Sequence, residues 1–162
     1  MSEVTTRIVV NGIPRELAVP AEELLLDTLR ERLGLTGAKR SCDVQVCGTC
    51  TVLVDGEPVS SCTFLTCDAD GRDVLTIEGF SESAEFAEFE RAFTGRAALQ
   101  CGFCTPGFVL TLKALRDAGE LRSREDVIDG LDGNLCRCTG YKAIVEAAEA
   151  LVGASGGPEV GR

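Results

Sequence analysis

GAKRSCDVQVCGTCTVLVDG, the stretch from Gly37 to Gly56, decides how the rest of the chain is read. Cys42-x4-Cys47-x2-Cys50 puts three thiols into one short loop between a helical segment and a strand, and Cys62 follows twelve positions later. A zinc knuckle takes two cysteines from each of two separated turns, whereas C-x4-C-x2-C with a distant fourth cysteine is the plant-type [2Fe-2S] spacing. A loop wrapped this way offers backbone N–H groups to the cluster sulfurs, which stabilises the reduced, more negative state.

On the N-terminal side of this loop, Thr6 to Val10 and Arg15 to Val19 are rich in strand formers and flank Asn11-Gly12, a pair suited to a turn with positive φ. Pro14 and Pro20 keep the second strand short. Ala21 to Leu33 carries Leu24, Leu25, Thr28, Leu29 and Leu33 at helical spacing, with acids early, Arg30 and Arg32 late, and Gly34 as a stop, so one amphipathic helix is expected there. On the C-terminal side, Thr51 to Val54 alternates into an Asp55-Gly56 turn, Pro58 to Cys62 returns, and Val74 to Ile77 reads as a further strand. Residues 1–80 therefore predict a small α+β sheet domain.

Beyond Gly79 the apolar period moves to that of a helix, which predicts a second, helical domain over 81–152. Phe86, Phe89, Glu90 and Phe93 mark one helix and Phe108, Val109, Leu112 and Leu115 another. Ser123 before Glu125 and Asp126 is a helix start, with Val127, Ile128 and Leu131 as its buried face. Tyr141, Ile144, Val145, Ala148, Leu151 and Val152 give the cleanest amphipathic pattern. The Gly/Pro-rich tail 153–162 is expected to be disordered.

This half holds a second thiol group, Cys101-x2-Cys104 and Cys136-x-Cys138. Each pair lies just before a helix: Thr105-Pro106 opens one, and Thr139 is placed to cap the one near Tyr141. Helix N-termini favour anions, and a thiolate cluster is an anion. The spacing alone leaves a second cluster, a four-cysteine zinc site and a redox dithiol at Cys101 and Cys104 all open.

Composition narrows the function. The 162 residues are 44% apolar and carry 26 acidic against 16 basic side chains, a net charge of -10 that argues against a nucleic-acid partner or an acidic membrane surface. No apolar run approaches the roughly 18 residues of a membrane span, and Met1 to Asn11 lacks a basic segment followed by an apolar one, so a cytoplasmic chain is expected. With no histidine there is no His-assisted nucleophile, Rieske ligation or His-containing zinc site. Nine cysteines, an odd number, in a chain expected to stay in a reducing compartment read as metal ligands rather than disulfides.

Together GAKRSCDVQVCGTCTVLVDG, LQCGFCTPGF and GNLCRCTGY resemble the iron-sulfur small subunit of the molybdenum hydroxylases, the xanthine oxidase and carbon monoxide dehydrogenase family, over about residues 4–152. The resemblance implies a β-grasp ferredoxin-like domain followed by a four-helix domain, each with one [2Fe-2S] cluster. Cys42, Cys47, Cys50 and Cys62 would hold the cluster nearer a flavin subunit, and Cys101, Cys104, Cys136 and Cys138 the one nearer a molybdopterin subunit. Cys138 would also approach the pterin, and Gln100 would contact the molybdenum cofactor. The implied role is an electron relay with no substrate site of its own, carrying electrons from a large molybdopterin-binding subunit to FAD on a medium subunit, in a dimer of heterotrimers. The implied substrate is an N-heterocycle, carbon monoxide-like or aldehyde-type small molecule. A free-standing ferredoxin-like carrier is the alternative, and a zinc-binding module stands third.

Where many relatives have glycines, Asp43, Val44, Gln45 and Val46 fill the C-x4-C gap, which restricts any position needing positive φ. Asp after the first ligand resembles the carbon monoxide dehydrogenase-like branch. Cys67 could compete with Cys62 as fourth ligand, but a buried apolar role is expected. Lys39 and Arg40 read as a solvated basic pair, Arg137 as a loop anchor or a partner contact, and Glu82, Glu85, Glu88 and Glu90 as a wet helix face. Phe103, Phe108 and Tyr141 are expected to form an apolar patch around the second thiol group.

Overall fold

In the computed structural model, which describes residues 2–152, the first half is a five-stranded mixed sheet of order β2-β1-β5-β3-β4. β1 (Glu3–Val10) and β2 (Ile13–Pro20) form the first hairpin, with Asn11 at φ 52° and Gly12 at φ 76°, the pair of left-handed residues that matches hairpin twist. β3 (Thr51–Val54) and β4 (Glu57–Ser60) form the second around Asp55 and Gly56. β5 (Asp73–Leu75) joins them, parallel to β1 and antiparallel to β3. The prolines Pro14, Pro20 and Pro58 fall on the edge strands β2 and β4, where a missing N–H costs no central ladder bond.

The helix expected over 21–33 is shorter and of a different kind. α1 spans only Leu25–Asp27 and runs on as a π-helical turn, Thr28–Arg32. The cause is a non-local competitor: Leu24 bridges Leu65, with Leu25 N–H donating to Phe64 O at 2.8 Å and Thr66 N–H to Glu23 O at 2.8 Å. That pairing holds Leu24 extended, with φ -78° and ψ 142°. Leu25, Leu26 and Leu29 are buried against Ile8, Val10, Val52, Val54 and Val74, which is the core of this half. The returning strand also ends earlier than expected, at Ser60, and Ile77 opens a helix instead of closing a strand.

The expected helices beyond residue 85 are α3 (Phe86–Gly95), α4 (Thr105–Asp117), α5 (Arg124–Gly130) and α6 (Lys142–Glu149), and a short α2 (Ile77–Ser81) precedes them. Ser123 caps α5, its hydroxyl accepting from Asp126 N–H at 3.1 Å. A second core, built on Phe80, Phe89, Phe93, Leu110, Leu112, Ile144 and Leu151, also receives Leu53 of β3. β3 is buried along its whole length because Val52 and Val54 serve the first core while Leu53 serves the second.

Two expectations about this half are corrected. Phe108 is fully buried and belongs to the core, because α4 is covered by its neighbours on every side around that residue, whereas Phe103 and Tyr141 are 44% and 38% exposed. Glu85 and Glu88 do not form a simple wet face: both bind the buried Arg116 guanidinium, which also lies 4.5 Å from the Phe89 ring. A pairing thirty residues apart has no signature in a charge pattern. The tail 153–162 lies outside the described residues.

Candidate metal centres

The first thiol loop starts at Ser41 and ends where β3 begins. Asp43 and Gln45 both adopt left-handed backbone, φ 56° and 58°, so the positions without glycine are the ones under conformational stress. Arg40 holds Asp43 at 2.6 Å from its other side bonded to Asp27, which makes it a loop brace and corrects the reading of a solvated pair. Thr63 donates to Gln45 Oε1 at 3.3 Å.

The result is a ring of N–H groups around sulfur. Val46 N–H points at Cys42 Sγ at 3.4 Å. The N–H groups of Val44 and Val46 bring the Cys42 thiol down to about 6, toward the thiolate that a metal requires. Cys62 lies deep at the sheet, and burial pushes it up to about 11, with its neighbour Cys50 adding to the effect. All four thiols are gathered in one place: Cys47 neighbours Cys42, Cys50 neighbours Cys62, and Cys42 is also near enough to Cys62 to act on it. Cys50 and Cys62 are buried, and Cys42 lies nearer the surface. Cys67 is drawn elsewhere: its thiol points at Ala21 O, 3.5 Å away, and it is half-buried rather than fully so.

The second group repeats the pattern. Cys101 and Cys138 are 3.6 Å apart and exposed, while Cys104 lies beside the buried Cys136. Burial and the Cys136 neighbour push Cys104 up to about 12. Burial alone would raise Cys136 too, but the Thr139 hydroxyl, 3.1 Å from its sulfur, and the Thr139 N–H at 3.4 Å hold it below the ordinary thiol value. Cys104 is the residue from which α4 starts, as expected. Thr139 does not cap α6. Tyr141 occupies that position with φ 68°, and the Thr139 hydroxyl accepts from Tyr141 N–H at 3.2 Å while donating to Cys136.

Tyr141 has a further role that the sequence reading missed: its hydroxyl accepts from Cys136 N–H at 3.0 Å, and its ring meets Phe108 edge-on. The only signal was its position just after the second motif. Gln100 is exposed beside Cys101, and Arg137 is exposed between two thiols.

Pairs of thiols suit a two-iron group, in which each iron takes two cysteines, more than a single ion that needs four sulfurs around one centre. Each set therefore fits a [2Fe-2S] cluster by donor type and by pairing.

Comparison with known proteins follows the same division. Residues 8–76 match the 2Fe-2S iron-sulfur cluster binding domain, and residues 76–149 match the [2Fe-2S] binding domain. The nicotine 6-hydroxylase small subunit of Paenarthrobacter nicotinovorans is 49% identical over 138 residues, 85% of this chain and 83% of that one. The structure of quinoline 2-oxidoreductase from Pseudomonas putida 86 superposes with a TM-score of 0.85 at 40% identity, over 92% of this chain and 94% of that chain. Aldehyde oxidoreductase from Desulfovibrio gigas gives 0.83 at 43% identity, over 91% of this chain but 16% of its own longer one.

Proposed function

Since the chain belongs to the iron-sulfur small subunits of the molybdenum hydroxylases, we propose that it wires a molybdopterin-binding subunit to an FAD-binding subunit through two [2Fe-2S] clusters. Cys42, Cys47, Cys50 and Cys62 hold one cluster, and Cys101, Cys104, Cys136 and Cys138 hold the other. The division falls near residue 80, into 1–80 and 81–152. A [2Fe-2S] cluster supplies a one-electron carrier, and everything else here is the work of the chain's own groups.

The observation that supports this reading best is the burial of the two thiol sets: in the second, Cys101 and Cys138 are exposed, Cys104 is half-buried and Cys136 buried, while in the first Cys47, Cys50 and Cys62 are buried and Cys42 is half-buried. A relay between two partners needs one exposed terminus for each. Gln100 and Cys138, on the exposed rim of the second set, are the groups for the molybdenum cofactor. Leu99, Phe103 and Leu135, exposed by 41%, 44% and 45%, give the large subunit an apolar seat around them. The substrate belongs to that subunit and is an N-heterocycle or aldehyde-type small molecule, the kinds named in the relatives. The assembly is a cytoplasmic dimer of heterotrimers.

The test is purification from the native source, followed by molybdenum, pterin and flavin analysis of the fractions that hold this chain. Co-elution with a pterin-bearing and an FAD-bearing chain is expected. A brown protein that elutes alone at its own mass would replace the relay with a free carrier.

A further inference from the structure

The backbone between Cys42 and Cys47 is held by little packing: Val44 and Val46 are 64% and 56% exposed. Yet Asp43 and Gln45 sit at φ 56° and 58°, a region that an L-residue enters only when its surroundings favour it, Asp more readily than most.

Two side-chain ties supply what packing does not. Arg40 Nη1 donates to Asp43 Oδ1 at 2.6 Å, and Arg40 Nη2 donates to Asp27. Asp27 closes α1 beside Leu25, Leu26 and Leu29, all fully buried, so the anchor of this bridge belongs to the core. Gln45 is tied from another side, its Oε1 accepting from the Thr63 hydroxyl at 3.3 Å, one residue past Cys62. Because Thr63 shares that proton with Ser60 O at 3.2 Å, the second tie is the weaker. A single ion pair at the surface contributes little, but Arg40 joins two carboxylates on separate segments and has only one local backbone turn to bias.

That turn matters for Cys42. Left-handed residues on both sides of Val44 bring the N–H groups of Val44 and Val46 round to the Cys42 sulfur, the latter at 3.4 Å. Such alternation lines successive N–H groups into a concave seat for an anion. If Asp43 relaxed to negative φ, the peptide that carries the Val44 N–H would turn away from the sulfur.

We propose that the Arg40 bridge from Asp27 to Asp43 stands in for the glycine that a left-handed position favours, and that Arg40 and Asp43 are positioning residues which hold N–H groups on Cys42 and so set the potential of the first cluster. This rests on the relay reading only in that a cluster occupies Cys42, Cys47, Cys50 and Cys62. The couple concerned is the one-electron reduction of that cluster, with no bond made or broken. N–H donors favour the reduced, more negative state, so the bridge makes the first cluster the better electron acceptor.

The experiment compares Asp43→Asn, Asp43→Gly and Asp43→Ala, which remove the same charge, so that whatever separates them is geometry. Asn still accepts from Arg40 and tolerates positive φ, Gly needs no bridge there, and Ala has neither resource. Each intact complex is assayed for iron and labile sulfide, for the potential of both clusters by redox titration, and for the coupling of exchangeable protons to the reduced first cluster by electron-nuclear double resonance. Asn and Gly should share one first-cluster potential. Ala should fall below them by about 3-fold in the equilibrium constant for reduction, about 30 mV at 59 mV per tenfold for one electron, with weaker proton coupling and an unmoved second cluster. Arg40→Ala should reproduce the loss of coupling on the wild-type loop and add none in the Asp43→Gly background. Loss of the first cluster in the Ala variant alone would support the proposal equally. Equal potentials and couplings in all three variants at full iron, or Gly behaving as Ala does, would overturn it and leave the relay reading intact. A wild-type complex without iron on this thiol set would remove the relay reading and this proposal with it.

Discussion

Thr139→Val removes a hydrogen bond to a cluster ligand, together with the acceptor of the exposed Tyr141 N–H, at nearly constant side-chain volume. The two side chains are nearly isosteric, and the hydroxyl donates to Cys136 Sγ at 3.1 Å. Because the same oxygen accepts Tyr141 N–H at 3.2 Å, its proton is committed to the sulfur. A hydrogen bond to a charged group is worth about 1.5–3 kcal/mol. The sulfur is negative in both oxidation states and the added electron spreads over the whole cluster, so only about a third of that, roughly 0.5–1 kcal/mol, distinguishes reduced from oxidised. At about 59 mV per 1.4 kcal/mol for one electron, losing the donor lowers the potential of the second cluster by about 20–40 mV. The sign follows from charge: the donor favours the more negative, reduced form, and its removal makes reduction harder. A redox titration followed by electron paramagnetic resonance measures both clusters in one sample. The first cluster should not move, and Thr139→Ser, which keeps the hydroxyl, should restore the second to within the error of the titration. A rise in potential, or an equal shift at both clusters, would refute the reasoning.

The other substitutions test separate parts of the account. Cys62→Ser should lose the first cluster and about half the iron, whereas Cys67→Ser, whose thiol points at Ala21 O, should keep all of it; the reverse pattern would reassign the fourth ligand. Gln100→Ala should retain both clusters and slow substrate-driven reduction of the complex, measured by stopped flow; an unchanged rate at full iron would free Gln100 from the cofactor role. Arg116→Ala strands Glu88 and removes the stacking on Phe89, but both carboxylates are about a third exposed. Its cost should fall below that of a fully buried pair, at about 2–4 kcal/mol, read as a loss of about 5–10 °C in the Tm of the holoprotein. A change under 1 °C would show that the network contributes nothing to stability.

What could be read from sequence divides along the distance between interacting residues. Asn11-Gly12 and Asp55-Gly56 announce their hairpins because the turn chemistry is carried by the two residues themselves. Ser123 announces α5 for the same reason. The segment at 21–33 misleads because its leucines keep helical spacing while Leu65, about forty positions on, claims the backbone at Leu24. Arg116 and Glu85 find each other only after α3 packs on α4. For the thiols, the spacing names every cysteine that the structure gathers into the two sets. Which thiol stands beside which depends on the fold: Cys104 pairs with Cys136 and Cys101 with Cys138 because the loops before α4 and α6 meet face to face. The hydrogen bond from Leu135 N–H to Cys47 O was invisible for the same reason, as neither residue carries a side-chain signal for it.

The central claim is that one chain carries two distinct two-iron clusters in series. It is tested most directly by iron and acid-labile sulfide per chain in the anaerobically purified complex, combined with electron paramagnetic resonance of the reduced sample. The account predicts about four iron and four sulfide per chain, with two resolved signals from the differently exposed clusters. About two iron per chain with a single signal, or zinc in place of iron at either thiol set, would contradict it.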